Sequence, residues 1–281
     1  MPKIDVNGVG LYYEETGSGT PLIFLHEFAG DYASWEPQMR FFGRRYRAIT
    51  TSYRGYPPSD IPEDEALYSQ DILLGDVIGL MNALEIDKAH ICGLSIGANS
   101  AVLLGLRHPS RCLSLTVAAG GHGSVQGTEE RAEFVHDFSS RSDRLLEEGM
   151  EPVARQQADK PNRVPMKVKD PRGWAEFRDR LIAHSAVGSA YTARGVPLKR
   201  PSFYDIEEEL LSMTVPTLII VGDQDGNCLE GSMFLKQVLP SAGLHMFPMS
   251  GHLVNLEEPE LFNRSVQDFL SAVEMGRWVK P

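Results

Sequence analysis

Short apolar segments alternate with longer amphipathic segments along most of this chain. The runs PLIFL, from Pro21, and TLIIV, from Thr217, are apolar at almost every position, which is typical of strands buried on both faces of a parallel sheet. Segments between such runs, for example residues 70–86, place apolar side chains three and four residues apart, as in a helix with one buried face. This alternation predicts an α/β fold in which helices cover both faces of a parallel sheet.

The N-terminal segment and residues 123–205 depart from this alternation. Near the N-terminus, two short segments flank Asn7-Gly8, a dipeptide that favours hairpin turns. With this hairpin the chain has eight strand segments, so we predict a mostly parallel eight-stranded sheet. Residues 123–205 instead contain charged helical segments without buried strands between them. We predict that they form a helical cap inserted after the sixth strand, within a single domain of residues 1–281.

Composition narrows the class of protein. A chain of 281 residues with 42% hydrophobic content can bury a sizeable core, and a net charge of -11 with scattered Lys and Arg opposes binding to nucleic acid or anionic membranes. No apolar run reaches the roughly 18 residues of a membrane span, and the N-terminus lacks the apolar segment of a signal peptide. The distant Cys92, Cys112 and Cys228 cannot all pair, which fits a reducing compartment. We therefore expect a cytoplasmic protein.

A candidate nucleophile lies between a predicted strand and a predicted helix. The segment Gly93-Leu94-Ser95-Ile96-Gly97 has the pattern G-x-S-x-G, in which a sharp turn pushes the serine outward and the glycines let strand and helix approach. A serine hydroxyl needs a base to become a nucleophile, and the base needs a carboxylate to orient it. The alternatives for Ser95 are an incidental serine in a glycine-rich turn and an anion-binding loop at the helix N-terminus.

His252 and Asp225 are the candidates for that base and that carboxylate. Each follows an apolar strand in a loop, at the carboxyl edge of the sheet where ligands and catalytic groups collect. Asp223, two residues before Asp225, is a competitor for the acid. The order Ser, Asp, His along the chain is that of one known triad architecture.

Other residues are candidates for a substrate pocket. His122 follows a predicted strand and His184 lies within the insertion, so both are candidates for substrate contact. Four aromatic residues are candidates for an apolar wall, although aromatic residues at helical spacing also pack in ordinary cores: Trp174, Phe177, Tyr191 and Phe203. Three other histidines are expected to be structural: His26, His90 and His108.

Five motifs of the chain resemble the α/β-hydrolase family. LHEFAG, YRGYPPSD, GLSIGANS, VGDQD and SGHLVNLEEPE occur in the order of the family, with similar spacing, over almost the full chain. The resemblance implies that Ser95 is the nucleophile, that His252 is the base, and that Asp225 rather than Asp223 is the acid. The G-x-S-x-G turn and the loops after the apolar strands point to the same three positions.

The resemblance also implies an oxyanion hole formed by the backbone N–H groups of Phe28 and Ile96. Glu27 departs from the family pattern, in which glycine is usual at this position. A carboxylate directed at the oxyanion would oppose its charge, so we expect Glu27 to point away and to pair with loop amides or a cation such as Arg54. The alternative is that Glu27 lines the pocket mouth, where it selects a cationic or hydrogen-bond-donating substrate or relays a proton.

From these features we predict a serine hydrolase that cleaves a small-molecule carboxylic ester, thioester or lactone through an acyl-serine intermediate. The alternatives are hydrolysis of a carbon–carbon bond in a ring-cleavage product and a small-ligand receptor with slow turnover. No metal or organic cofactor is implied, because the chain shows neither metal-ligand spacing nor a phosphate-binding or dinucleotide-binding fingerprint. The exposed face of the last predicted helix is a candidate surface for a homodimer.

Overall fold

The computed structural model describes residues 3–125 and 127–278, and its sheet has eight strands in the order β1-β2-β4-β3-β5-β6-β7-β8. β1 and β2 are antiparallel to their neighbours, and the other strands pair in parallel. The prediction of a mostly parallel eight-stranded sheet is confirmed. The strands are β1 Lys3–Val6, β2 Val9–Thr16, β3 Pro21–Leu25, β4 Arg47–Thr51, β5 Ala89–Leu94, β6 Cys112–Ala118, β7 Thr217–Gly222 and β8 Ala242–Phe247.

The N-terminal hairpin forms at the predicted dipeptide. Asn7 has a φ of 54° and Gly8 a φ of 77°, so both residues adopt the left-handed conformation that a two-residue hairpin turn requires. β2 then pairs with β4, which joins the hairpin to one edge of the sheet.

Both faces of the sheet are buried, as the continuous apolar runs predict. In β3, Ile23 and Leu25 pack in one apolar cluster, whereas Leu22 and Phe24 pack in a second cluster. Helices α2 Gln70–Ala83, α3 Ile96–Arg107 and α10 Gly226–Val238 contribute to the first cluster. Helices α1 Glu36–Phe42 and α12 Pro259–Glu274 contribute to the second, so helices cover both faces.

The insertion after the sixth strand is helical, as predicted. Among the described residues, six α-helices lie between β6 and β7, and the short α11 Val254–Glu257 precedes α12. The six are α4 Thr128–Glu148, α5 Met150–Ala158, α6 Val164–Lys169, α7 Pro171–Ile182, α8 Ala186–Gly195 and α9 Glu207–Ser212. The limits 123–205 for a cap within a single domain stay a prediction. In the part of the chain that the structure describes, no helix combines the length and apolar character that crossing a bilayer requires.

Candidate active site

Ser95 occupies a strained turn between β5 and α3. Its φ is 56°, a left-handed conformation that residues with a side chain rarely adopt, and its backbone N–H donates to the carbonyl of Ala118 at 2.9 Å. A Cβ on Gly93 would lie 2.1 Å from the Gly97 carbonyl oxygen, and a Cβ on Gly97 would lie 2.1 Å from that of Leu25. Only glycine fits at these two positions, which explains the G-x-S-x-G pattern.

His252, in the loop after β8, contacts Asp225, which lies just after β7. His252 Nδ1 is 2.7 Å from Asp225 Oδ2, and Asn162 Nδ2 donates to Asp225 Oδ1 at 3.0 Å. The Asn162 carbonyl also accepts the backbone N–H of His252 at 2.8 Å. Asp223, the competing acid, instead accepts the backbone N–H of Ser250 at 3.2 Å. Asp225, and not Asp223, is therefore the aspartate that bonds to His252.

Charge and burial set the protonation of this pair. Burial opposes ionisation of Asp225, but the charge and hydrogen bond of His252 and the hydrogen bond from Asn162 outweigh it and lower its pKa to about 2. Burial likewise opposes the imidazolium form of His252, yet the charges of Asp225 and Glu27 raise its pKa above the ordinary value. Asp225 is therefore the ionised acceptor of the Nδ1 proton of His252, and its charge makes the ring a stronger base.

Ser95 and His252 line a common cavity of about 30 Å³. This volume holds about one or two water molecules. The cavity shares His122, Lys160 and Asn227 with a groove of about 520 Å³, which is a route for a larger molecule. The remaining residues around the cavity come from the LHEFAG loop, the insertion and its flanks: Glu27, Phe28, Phe138, Arg141, Gln157, Asn162 and Arg163.

Glu27 pairs with a cation of the insertion, not with Arg54. Arg163 donates to Glu27 through both Nη atoms, at 2.9 and 2.6 Å, and the two side chains are 2% and 1% exposed. Glu27 Oε2 also lies 3.6 Å from His252 Nε2. Glu27 thus pairs with a cation and a loop amide, that of Ala29, as expected, but the cation is Arg163 because Arg54 is held by Asp76. The expectation that the carboxylate points away from the site is wrong, because Glu27 lines the cavity of Ser95.

The Glu27 carboxylate is nevertheless neutralised. Burial alone would raise the pKa of Glu27, but the charge and hydrogen bonds of Arg163 outweigh it and hold that pKa below its usual value. The pair therefore resembles a fixed dipole beside the site more than a free negative charge.

The loop that contains Glu27 is held by hydrogen bonds on both sides. The His26 ring contacts the Glu27 carbonyl through Nδ1 at 2.6 Å and accepts the backbone N–H of Tyr53 at Nε2 at 3.1 Å. The Tyr56 hydroxyl donates to the carbonyl of Phe28 at 3.0 Å. Burial lowers the pKa of His26 to about 4, so its ring is neutral and structural, as expected.

Phe28 and Ile96 are the predicted donors of the oxyanion hole. Phe28 lines the cavity with Ser95, and Ile96 is the first residue of α3. Backbone N–H groups in the first turn of a helix have no acceptor within that helix. The assignment of both N–H groups to an oxyanion hole stays a prediction.

Of the remaining predicted pocket residues, His122 lines the cavity, whereas His184 and Trp174 are not among the described residues that line it. His184 Nε2 lies 3.4 Å from Asp31 Oδ2, and its ring contacts Tyr56 edge-on. Trp174 donates from Nε1 to the Ala158 carbonyl at 2.9 Å. Trp174 joins two segments of the insertion, and His184 joins the insertion to the loops after β3 and β4, so their placement does not support substrate contact.

Several cavity residues were missed by the sequence argument because they belong to the insertion. None of them follows a sheet strand, and the helical pattern of the insertion does not indicate which side chains face the sheet. They are Phe138, Arg141, Gln157, Lys160, Asn162 and Arg163. Only a motif specific to this insertion could have identified them.

Cys228 lies next to Asp225 and His252, a contact that no sequence motif predicts. The carboxylate of Asp225, the sulfur of Cys228 and a ring nitrogen of His252 have atoms within 4.8 Å of one another, although no metal-ligand spacing is visible in the chain. The Cys228 thiol donates to the carbonyl of Ala119 at 3.1 Å, and burial raises its pKa well above the usual value. Cys228 is therefore a neutral thiol that packs against the pair.

The family of the chain follows from its match to known sequences. The family model for the alpha/beta hydrolase fold matches residues 20–259. The chain belongs to the α/β-hydrolase fold family. It is 28% identical over 256 residues to 3-oxoadipate enol-lactonase 1 of Acinetobacter baylyi, covering 90% of this chain and 89% of that protein. It is 26% identical to 2-hydroxymuconate semialdehyde hydrolase of a Pseudomonas species, covering 97% and 94%.

Solved structures agree with this α/β-hydrolase assignment. The crystal structure of the enol-lactonase from Burkholderia xenovorans superposes with a TM-score of 0.85 at 25% identity, covering 96% of this chain and all of that one. Because the similar proteins are named hydrolases, this α/β-hydrolase is an enzyme.

Proposed function

We propose that this α/β-hydrolase cleaves a small-molecule carboxylic ester, thioester or lactone through an acyl-Ser95 intermediate. The observation that supports the proposal most is the shared cavity. Ser95 in its strained turn faces the same small space as His252, whose other ring nitrogen is held by the ionised Asp225. The similarity to two enol-lactonases supports a carboxylic ester bond as the bond that is broken.

The proposed reaction has two halves. His252 Nε2 takes the proton of the Ser95 hydroxyl as its oxygen attacks the substrate carbonyl, and Asp225 stabilises the imidazolium that forms. The tetrahedral alkoxide accepts hydrogen bonds from the two N–H groups of the predicted oxyanion hole. The imidazolium then protonates the leaving alcohol or thiol. Water, deprotonated by His252, attacks the acyl-serine and releases the acid.

Carbon–carbon bond hydrolysis is the second candidate. The similarity to 2-hydroxymuconate semialdehyde hydrolase, which spans nearly the whole chain, favours it. The same serine and base serve this reaction if the leaving group is a carbanion that the imidazolium protonates. A panel of acyl esters, lactones and vinylogous diketones separates the two candidates, because the preferred bond has the highest kcat/KM.

Labelling with a fluorophosphonate probe tests the nucleophile. We expect one adduct in the folded protein, located at Ser95 by peptide mass spectrometry, because the probe reacts with a serine activated by a neighbouring base. Heat-unfolded protein is the control and should take no label. If folded protein also stays unlabelled, the site is not that of a serine hydrolase and the small-ligand receptor becomes the better explanation.

The pH profile tests the protonation of the base. Only neutral His252 accepts a proton, and its pKa is raised, so kcat/KM should fall as pH drops through a value above 6.5. Replacing Glu27 by Gln removes a negative charge 3.6 Å from Nε2 and leaves the positive charge of Arg163 in place. We expect the acid limb of Glu27→Gln to shift to lower pH by about half a unit to one unit. An unchanged or upward-shifted limb would show that the Glu27 charge does not act on the base.

A further inference from the structure

Arg141 is a buried cation at the wall of the cavity that contains Ser95. Its side chain is 7% exposed, and its guanidinium lies over the rings of Phe138 and Phe28, with Cζ 4.3 and 5.6 Å from the ring centroids. Among the described residues its hydrogen bonding is limited to one atom, Nη2, which donates to Asp137. A guanidinium carries five N–H donors, so most of those of Arg141 have no acceptor among the described residues.

Arg141 and Lys160 share one carboxylate at this wall of the cavity. Arg141, Lys160 and Arg163 line it with the single carboxylate Glu27, which is already bonded to both Nη atoms of Arg163. Asp137, at the adjacent groove, is 3.0 Å from Lys160 Nζ and also accepts from Arg141. Neither Arg141 nor Lys160 therefore has a carboxylate to itself among the described residues.

Among the described residues, the neighbouring His122 and Asp225 do not bond to Arg141. Burial lowers the pKa of His122 to about 3, so its ring is neutral at this wall. Asp225 is bonded to His252 and Asn162. Burial lowers the pKa of Arg141 and the charge of Arg163 adds to this shift, while Asp137 and Glu27 oppose it.

We propose that Arg141, assisted by Lys160, binds a carboxylate of the substrate. This inference rests on the proposed function and narrows it to ester or lactone substrates that carry a free carboxylate near the scissile carbonyl. The planar guanidinium offers two parallel N–H donors, the arrangement that a carboxylate accepts. Its stacking on Phe28 places it beside the loop that presents the predicted oxyanion donor. The anchored carboxylate would orient the acyl group for attack by Ser95.

The outer groove limits how much negative charge a substrate can bring. Among its described lining residues, Lys160 is the cation. Four others are acidic: Glu130, Glu133, Asp137 and Glu230. This acidic lining slows the approach of anions, and salt screens such exposed charges over about 8 Å at physiological ionic strength. We therefore expect a single carboxylate to be preferred, and kcat/KM for an anionic substrate to rise with moderate salt.

A matched pair of esters tests the carboxylate site. One is the mono-4-nitrophenyl ester of glutaric acid, and the other is the same molecule with its carboxylate methylated. The wild type should favour the anionic ester in kcat/KM by at least about tenfold. Arg141→Met should lower kcat/KM for the anionic ester by about 10–100-fold and leave the neutral ester within about threefold. Lys160→Met should cause a smaller loss of the same kind.

Controls separate charge recognition from folding. Arg155→Met removes an exposed arginine of α5 that pairs with Glu151, and it should not change the preference. Arg141→Lys keeps the charge without the planar fork and should recover part of the preference. Thermal unfolding and circular dichroism identify any variant that fails to fold. If Arg141→Met weakens both esters equally, Arg141 is structural and the proposal is wrong.

A binding measurement keeps this inference separate from the proposed function. If neither ester is hydrolysed and the fluorophosphonate does not label Ser95, the proposed function fails. Titration of the wild type and of Arg141→Met with glutarate then tests the carboxylate site alone. Binding that Arg141→Met loses supports the site, and absent or unchanged binding overturns it.

Discussion

Ser95→Ala is expected to lower kcat for ester hydrolysis by at least about a thousandfold, because it removes the nucleophile on which both halves of the reaction depend. The measurement is steady-state hydrolysis of a 4-nitrophenyl ester by freshly purified protein, corrected for the spontaneous rate. Because the alanine side chain is smaller than that of serine, it adds no steric conflict in the turn. The thermal unfolding temperature should therefore change little. KM or ligand binding should also change little.

The control is Ser110→Ala, an exposed serine outside the cavity, which should hydrolyse the ester at the wild-type rate. If Ser95→Ala retains the wild-type rate, the acyl-serine mechanism is wrong. Residual activity at the level of the blank, together with loss of fluorophosphonate labelling, is the result that supports it.

Arg163→Met is expected to destabilise the protein by about 3–5 kcal/mol, the usual cost of leaving one member of a buried ion pair without its partner. Glu27 would then be buried without Arg163 and 3.6 Å from His252 Nε2. Its charge would oppose the oxyanion, and kcat should therefore fall as well. Urea unfolding and steady-state kinetics on the same preparation measure both effects.

The double variant Glu27→Gln/Arg163→Met tests whether the unpaired carboxylate causes the loss of stability. Removing both charges removes the uncompensated carboxylate, so we expect most of the lost stability to return. The exposed pair Arg155–Glu151 is the matched control, and Arg155→Met should cost about 1 kcal/mol or less. If Arg163→Met is as stable as the wild type, the buried pair does not anchor the insertion to the loop.

The fold and the central pair of the site were predictable because their signals are local. Continuous apolar runs identify strands with two buried faces, Asn7-Gly8 identifies the hairpin, and glycines two residues either side of Ser95 identify the strained turn. His252 and Asp225 could be found because each follows a strand, and parallel strands deliver such residues to one edge of the sheet.

The walls of the site were not predictable, since they depend on how the insertion packs. Glu27 departs visibly from the family pattern, but its partner Arg163 lies 136 residues later in the chain. Arg163 ends a single turn of 3-10 helix, Pro161–Arg163, and no strand fixes its direction. His184 and Trp174 were chosen by residue type and region. Their side chains instead bond Asp31 and Ala158, contacts that helical spacing does not reveal.

Asn162 gives the insertion a second attachment to the site, beside Arg163. Its carbonyl accepts the His252 backbone N–H and its amide donates to Asp225, while the next residue holds the loop of Glu27. Two consecutive residues thus link the part of the chain that shapes the pocket to the part that does the chemistry. The insertion is therefore not a module that recombination could exchange freely between members of this family. A transplanted cap would have to bring the Asn-Arg pair with it, and the recipient would need a glutamate two residues beyond its third strand.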